Sequence, residues 1–191
     1  MRVKTMSGIN IPVIGFAAYS GTGKTTLLTR ILPILGARHL RVGLVKHAHH
    51  EFNIDQPGKD SYRLRQAGAS QVLLGSSQRW ALMVEHEVKG DRPLEFHVSR
   101  LDLDSLDLVL VEGFKTAAIP KIEVYRPSLD NPPLFEDDDN IIAVATDTPD
   151  AVESDLPMFG LDDAESIADF IIARFLDNIV ILKRTKLNTD P

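Results

Sequence analysis

The chain has 191 residues, 21 Lys and Arg against 27 Asp and Glu for a formal net charge of −6, six His and no Cys. The lack of cysteine excludes disulfides, zinc ribbons and thiol nucleophiles. The acidic balance argues against a general nucleic-acid binder, which needs a basic field to collect phosphates. A chain of this length suits one domain with a sizeable core, its 43% apolar and 25% charged content is that of a globular protein, and no apolar run reaches the roughly 20 residues of a membrane-spanning helix.

Arg2 and Lys4, then the apolar run 11–18, superficially resemble a secretory leader. Pro12 and Gly15 interrupt that run, and a glycine-rich loop follows where a cleavage site would lie, so a cytoplasmic protein is expected. Short apolar runs bounded by turn residues predict strands at 13–17, 41–45, 71–74, 80–84, 108–111, 121–125 and 141–145. Several are apolar at consecutive positions, as in strands covered on both faces. Leu27, Leu28, Ile31, Leu32 and Leu35 form a helical stripe after the first strand, with Pro33 expected to kink it and Gly36 to stop it. A shorter helix is expected over 61–67, and 71–84 reads as a two-stranded element turning at Gly75-Ser76-Ser77. The segment 127–140, with Pro132-Pro133 and the acids 136–139, reads as a solvated loop. A last helix is expected from 163 to about 176, with Asp162 and Glu165 as its capping box. Strands alternating with helices make an α/β fold with antiparallel pieces added.

The chemistry concentrates in Ala18-Tyr19-Ser20-Gly21-Thr22-Gly23-Lys24-Thr25, between a buried strand and a helix, the setting of a phosphate-binding P-loop. Gly21 and Gly23 let the backbone curl so that successive N–H groups point at a polyphosphate, and the helix aims its positive end there. Gly21, Thr22, Gly23, Lys24, Thr25 and Thr26 are the expected phosphate contacts, with the Lys24 ammonium on the β- and γ-phosphates and the Thr25 hydroxyl on Mg²⁺. Ala18 stands where the motif usually has Gly, at the strand end and outside the cradle. An acid must also approach the metal. Asp107 and Glu112 bracket the strand 108–111, about 16 Å apart at ~3.3 Å per residue. Ligands sit at the carboxyl ends of parallel strands, which selects Glu112, with Gly113 beside it permitting a close backbone approach. Asp147 ends another buried strand, where a carboxylate could accept both N1–H and the N2 amino group of guanine. The usual guanine motif has a Lys two residues earlier, here Ala145, and a turn or cap aspartate explains Asp147 as well. His47, His49 and His50 with Glu51 or Asp55 could ligate a metal, or Lys46 and the histidines could line the nucleotide pocket. Lys59, Arg63 and Arg65 could contact an anionic substrate or lie on a solvated helix surface. The single Trp80 reads as a core or interface residue.

The run 16–27, Val45-Lys46-His47 with His49-His50, the stretch 57–69, Gln78-Arg79-Trp80-Ala81-Leu82-Met83 and the stretch 107–115 together resemble the molybdopterin-guanine dinucleotide biosynthesis adapter (MobB) family. The similarity covers residues 11 to about 176, leaving an N-terminal extension (1–8) and a tail (179–191) outside it. It implies a single three-layer P-loop nucleoside triphosphate hydrolase domain, with a mostly parallel sheet and added antiparallel strands. It further implies a homodimer that binds GTP and Mg²⁺, hydrolyses GTP weakly, and assists the molybdenum cofactor guanylyltransferase that joins GMP to molybdopterin. Molybdopterin or its guanine dinucleotide is a candidate ligand; neither nucleic acid nor membrane is. No catalytic residue is assigned. Two rivals remain: a P-loop small-molecule kinase that closes the 59–65 segment over phosphates, and a nickel or zinc metallochaperone GTPase that uses His47, His49 and His50.

Overall fold

In the computed structural model, the described residues are 8–48, 52, 54–88 and 90–176. They fall into two compact units, Met1–His47 with Pro93–Pro191, and Ala48–Arg92. The strands in chain order are β1 (Val13–Ala17), β2 (Val42–Lys46), β3 (Gln71–Gly75), β4 (Trp80–Val84), β5 (Leu108–Glu112), β6 (Lys121–Tyr125), β7 (Ile141–Thr146) and β8 (Met158–Gly160). The helices are α1 (Lys24–Ala37), α2 (Asp60–Gln66), α3 (Leu94–Val98) and α4 (Ala164–Phe175).

The larger unit holds a six-stranded sheet in the order β2-β5-β1-β6-β7-β8, parallel throughout. Side chains alternate across a strand, so Ile14, Phe16, Leu108 and Leu110 face α1 and α4 in one core, and Val13, Val109 and Val111 face Leu94 and Val98 of α3 in another. Cover on both faces explains the unbroken apolar runs of β1 and β5. Strands and helices thus form an α/β P-loop-type fold with a mostly parallel sheet, as expected. The elements α3 and β8, five and three residues long, were not anticipated; neither is long enough to show a period.

Leu27, Leu28, Ile31 and Leu35 are the buried stripe of α1, which runs through Pro33 and past Gly36. It ends at Ala37, and the closing turn places His39 in the left-handed conformation at φ 60°. The His39 N–H donates to the Gly36 carbonyl (2.9 Å) and the Leu40 N–H to that of Leu35 (3.2 Å), closing two of the last carbonyls. Residue 163, not 162, caps α4: the Asp163 carboxylate accepts from the Ser166 N–H at 3.1 Å, three residues on as an N-cap requires.

The segment 127–140 is not a free solvated loop, because buried charges of β6 hold it. The two Glu123 oxygens accept from the N–H groups of Leu134 and Phe135, each at 2.8 Å. Burial pushes the Glu123 carboxyl above its ordinary pKa, against the opposing pull of those two N–H donors. The buried Lys121 ammonium donates to the carbonyls of Lys115 and Ala117, both 2.8 Å away, and pairs with Asp138 at 2.5 Å. For the Asp138 carboxyl, burial acts upward, but the hydrogen bonds from Lys121 and Asn140 outweigh it and hold the pKa below the usual range.

In the smaller unit, β3 and β4 pair antiparallel from Gln71↔Val84 to Gly75↔Trp80, with the expected turn between them. The Ser76 hydroxyl organises that turn, accepting from the Arg79 N–H and donating to its carbonyl. Arg65 forks onto both oxygens of the buried Asp55 (3.1 and 2.9 Å) and onto Glu85 (2.8 Å). Trp80 is 67% exposed and is therefore no core residue of this unit.

Two expected outcomes follow from these contacts. Gly36 lies inside α1 with open space where a Cβ would project, so Gly36→Ala should stabilise by about 1 kcal/mol, raising Tm by about 2–4 °C in a thermal melt. Glu123→Gln sets an amide N–H₂ against a backbone N–H in a buried site, and denaturant titration should show a loss of about 1–3 kcal/mol.

Candidate functional site

Strand β1 ends at Ala17, and the chain curls through residues 18–23 before α1 begins. Gly21 and Gly23 sit at φ 80° and 101°, a region L side chains rarely enter. Ala18, in the unusual first position, packs partly buried against the α1 core. The Thr22 hydroxyl donates to the Tyr19 carbonyl at 3.1 Å and braces the loop from within. Gly23 is the N-cap and has no side chain to cover the helix end, so the first-turn N–H groups of a 14-residue helix face the loop, which is how helix termini receive anions.

Lys24 turns back across its own loop, donating to the carbonyls of Tyr19 (2.7 Å) and Ala18 (3.2 Å). Burial lowers its pKa, the cations of Lys46 and Lys115 act in the same direction, and Glu112 opposes them. Lys115 itself stands over the Tyr19 ring, 4.8 Å from the centroid. The loop therefore gathers lysine charge that a bound anion would relieve.

Parallel register explains how Glu112 reaches this place. Glu112 on β5 pairs with Phe16 on β1 and with Lys46 on β2. All three leave the same edge of the sheet, and the Thr25 hydroxyl donates to Glu112 Oε1 at 2.8 Å. The Lys46 ammonium lies 3.1 Å from the same oxygen and 3.4 Å from Thr25 Oγ1. Asp107, at the opposite end of β5, accepts from the Arg41 backbone N–H at 2.7 Å and serves the strand's entry. Gly113 has φ 94°, and a Cβ there would meet His47 Cβ at 2.9 Å; the close approach expected of this glycine is to His47.

On the other side of Gly23 lies a cleft of about 330 Å³ bordered by Thr22, Thr26, Arg126, Asp147 and Asp162. Asp147 Oδ2 is 2.5 Å from Arg126 Nη1, and Arg126 Nε donates to the Thr22 carbonyl at 3.0 Å. The structure thus brings the glycine loop, Thr25 with Glu112, and Asp147 around one helix end. The remaining candidates behave otherwise. His47 lies against Phe114, ring centroids 4.7 Å apart; His49, His50 and Glu51 lie outside the described residues. Asp55 is taken by Arg65, and among the described residues no group of three His, Cys, Asp or Glu could hold a metal ion. Arg65 is engaged within its own unit, and Arg63 is an exposed residue of α2, 3.9 Å from Asp60. Arg126 and Lys115 escaped sequence reasoning. The available signal was positional, since Arg126 directly follows β6 as Asp147 directly follows β7.

A glycine loop joining the central strand of a parallel sheet to a helix, with an acid from the adjacent strand at the helix end, defines a P-loop-type α/β protein. Within that class the chain belongs to the family of molybdopterin guanine dinucleotide synthesis protein B, MobB, whose model matches residues 13–147. It is 47% identical over 173 residues to the molybdopterin-guanine dinucleotide biosynthesis adapter protein of Escherichia coli K12, spanning 90% of this chain and 95% of that one. The Haemophilus influenzae protein of the same name is 45% identical over 161 residues, spanning 84% and 88%. A crystal structure of molybdopterin-guanine biosynthesis protein B superposes at a TM-score of 0.66 and 30% identity, over 85% of this chain and 99% of that one. The Bacillus subtilis MobB structure shares the fold at a TM-score of 0.69 and 24% identity, over 86% and 98%. Among the described residues no helix is long and apolar enough to cross a membrane.

Lys24→Ala removes a cation from the loop and no packed apolar group, so the variant should fold. Its affinity for a nucleoside triphosphate should fall about 10- to 150-fold, as for one lost charge-assisted contact. Titration calorimetry reads this; unchanged affinity would remove Lys24 from the site.

Proposed function

We propose that this protein binds GTP with Mg²⁺ and acts as a cytoplasmic homodimeric adapter in molybdopterin guanine dinucleotide synthesis, assisting the guanylyltransferase that attaches GMP to molybdopterin. The observation that carries the reading is the placement of the Thr25–Glu112 pair on one side of the open α1 terminus and of the Asp147 cleft on the other. The adapter role draws on the names of the 47% and 45% identical relatives.

The donor set suits the metal. Mg²⁺ takes oxygen ligands at 2.0–2.1 Å in an octahedron, whose neighbouring ligands lie ~2.9 Å apart. Thr25 Oγ1 and Glu112 Oε1 are 2.8 Å apart, a hydroxyl and a carboxylate at that spacing. When bound, the ion neutralises phosphate charge. Thr25 and Glu112 hold it, the N–H groups of 21–26 and the Lys24 ammonium hold the phosphates, and Asp147 reads the base. Guanine offers that carboxylate two donors, whereas adenine sets an acceptor against it. The homodimer is supported by Leu73, Trp80 and Leu82, large apolar side chains left exposed on the β3–β4 hairpin.

Among the described residues the cations near Glu112 are lysines, and Arg126, on the other side of Gly23, is engaged by the Thr22 carbonyl and Asp147, so neither the glutamine nor the arginine that speeds hydrolysis in P-loop proteins stands beside that acid. The isolated protein should therefore bind GTP and release phosphate well below ~1 s⁻¹. Phosphate release measured with and without the guanylyltransferase tests the adapter role; fast turnover indifferent to the partner would favour an independent hydrolase or kinase. Asp147→Asn replaces an acceptor with a donor, so nucleotide competition should show preference moving from GTP toward XTP. A variant that binds GTP as tightly as wild type would leave Asp147 a turn residue.

A further inference from the structure

We propose that Arg126 determines base choice in this cleft: its guanidinium forms the flat cationic face on which the purine stacks and fixes the Asp147 carboxylate against the phosphate loop. The inference rests on the nucleotide reading and assigns a residue to it that no motif marks.

Placement comes from the sheet. Tyr125 on β6 pairs with Thr146 on β7 in parallel register, so the next residues, Arg126 and Asp147, leave the carboxyl edge side by side. Ala17 pairs with Glu123, which brings the extension of β6 alongside the loop that follows β1. Arg126 bridges the two: Nε donates to the Thr22 carbonyl at 3.0 Å, and Nη1 lies 2.5 Å from Asp147 Oδ2. Nη2 lies 3.9 Å from where a Cβ on Gly23 would stand, which puts the guanidinium beside the last glycine of the loop.

Stability does not account for this bridge. Both side chains are about one-third exposed, and ion pairs so placed contribute little. No cation comes to the cleft from β7, because Ala145, where a lysine commonly accompanies a guanine-reading Asp, is apolar and fully buried; Arg30 of α1 also lines the cleft, and Arg126 is the arginine bonded to Asp147. A guanidinium is planar and weakly hydrated and stacks on aromatic rings, so Arg126 supplies from β6 the cationic face that β7 does not. Its bond to Oδ2 fixes the carboxylate's orientation. Oδ1 and the remaining lone pairs stay available for the two donors on guanine. The bond from Nε to the Thr22 carbonyl anchors the same side chain, so its plane is held in place before a base arrives.

The test is competition against a fluorescent GTP analogue by GTP, ATP and inorganic tripolyphosphate, for wild type, Arg126→Ala, Arg126→Lys and Lys24→Ala. Arg126→Ala should lose about tenfold in GTP affinity, with the GTP-over-ATP preference falling toward unity and tripolyphosphate affinity changing less than about twofold. Arg126→Lys keeps the charge but neither the plane nor the fork; it should resemble Arg126→Ala in base preference, and it decides the matter if the alanine variant fails to fold. Lys24→Ala should lose all three ligands together. An Arg126 variant that keeps the full GTP preference, or loses all three ligands equally, overturns the assignment while leaving the nucleotide reading intact. A wild-type protein that binds tripolyphosphate without preferring GTP to ATP overturns both.

Discussion

Everything at the site depends on one constraint, the parallel pairing of all six strands in the main sheet. In a parallel sheet every strand delivers its carboxyl end to the same edge. Phe16, Lys46 and Glu112 are register partners across three adjacent strands, and Tyr125 and Thr146 are partners across two more. The loop after β1, the acid of β5, the lysine of β2, and the arginine and aspartate following β6 and β7 therefore meet at one rim. A slip of one residue would send each of these side chains to the opposite face.

That register is held by burial on both sides of the sheet. Ile14, Phe16, Leu108 and Leu110 are fully buried toward α1 and α4, and Val109 and Val111 toward α3. A strand with two apolar faces cannot slide without exposing one of them. The glycines at close approaches belong to the same design. A Cβ on Gly15 would meet Lys121 Cγ at 2.7 Å, and one on Gly113 would meet His47 at 2.9 Å. A larger residue would displace the Lys121 side chain at the first position and crowd His47 at the end of β2 at the second.

Strand β6 carries two charges into the interior. Lys121 and Glu123, each about 1% exposed, are tolerated because every charge finds partners: carbonyls and Asp138 for the ammonium, two backbone N–H groups for the carboxylate. Lys121 holds the turn after β5, which carries Lys115, and Glu123 holds the segment after β6. Both segments border the site, so the buried polar pair orders the surroundings of the cleft without entering it.

The sequence alone determined the elements whose signals are local. Seven of the strands, α1, α2 and α4 were legible from apolar spacing, and the curl of the glycine loop from its place between strand and helix, because these patterns need only neighbouring residues to express them. That Glu112, and not Asp107, lies at the loop's end of β5 was also legible, from the direction of the strand. Tertiary structure decided the rest. It put Arg126 beside Asp147, 21 positions apart in the chain, because parallel register sets strand ends together irrespective of their separation in sequence. It converted 127–140 from a solvated segment into one clamped by Glu123 and Lys121, and it committed Arg65 to Asp55 and Glu85. It carried α1 one residue past Gly36, to Ala37, where hydrogen bonds from His39 and Leu40 close the helix. Where a residue's role depends on its partner across the sheet, composition and spacing carry no trace of it; only the folded register brings the two together.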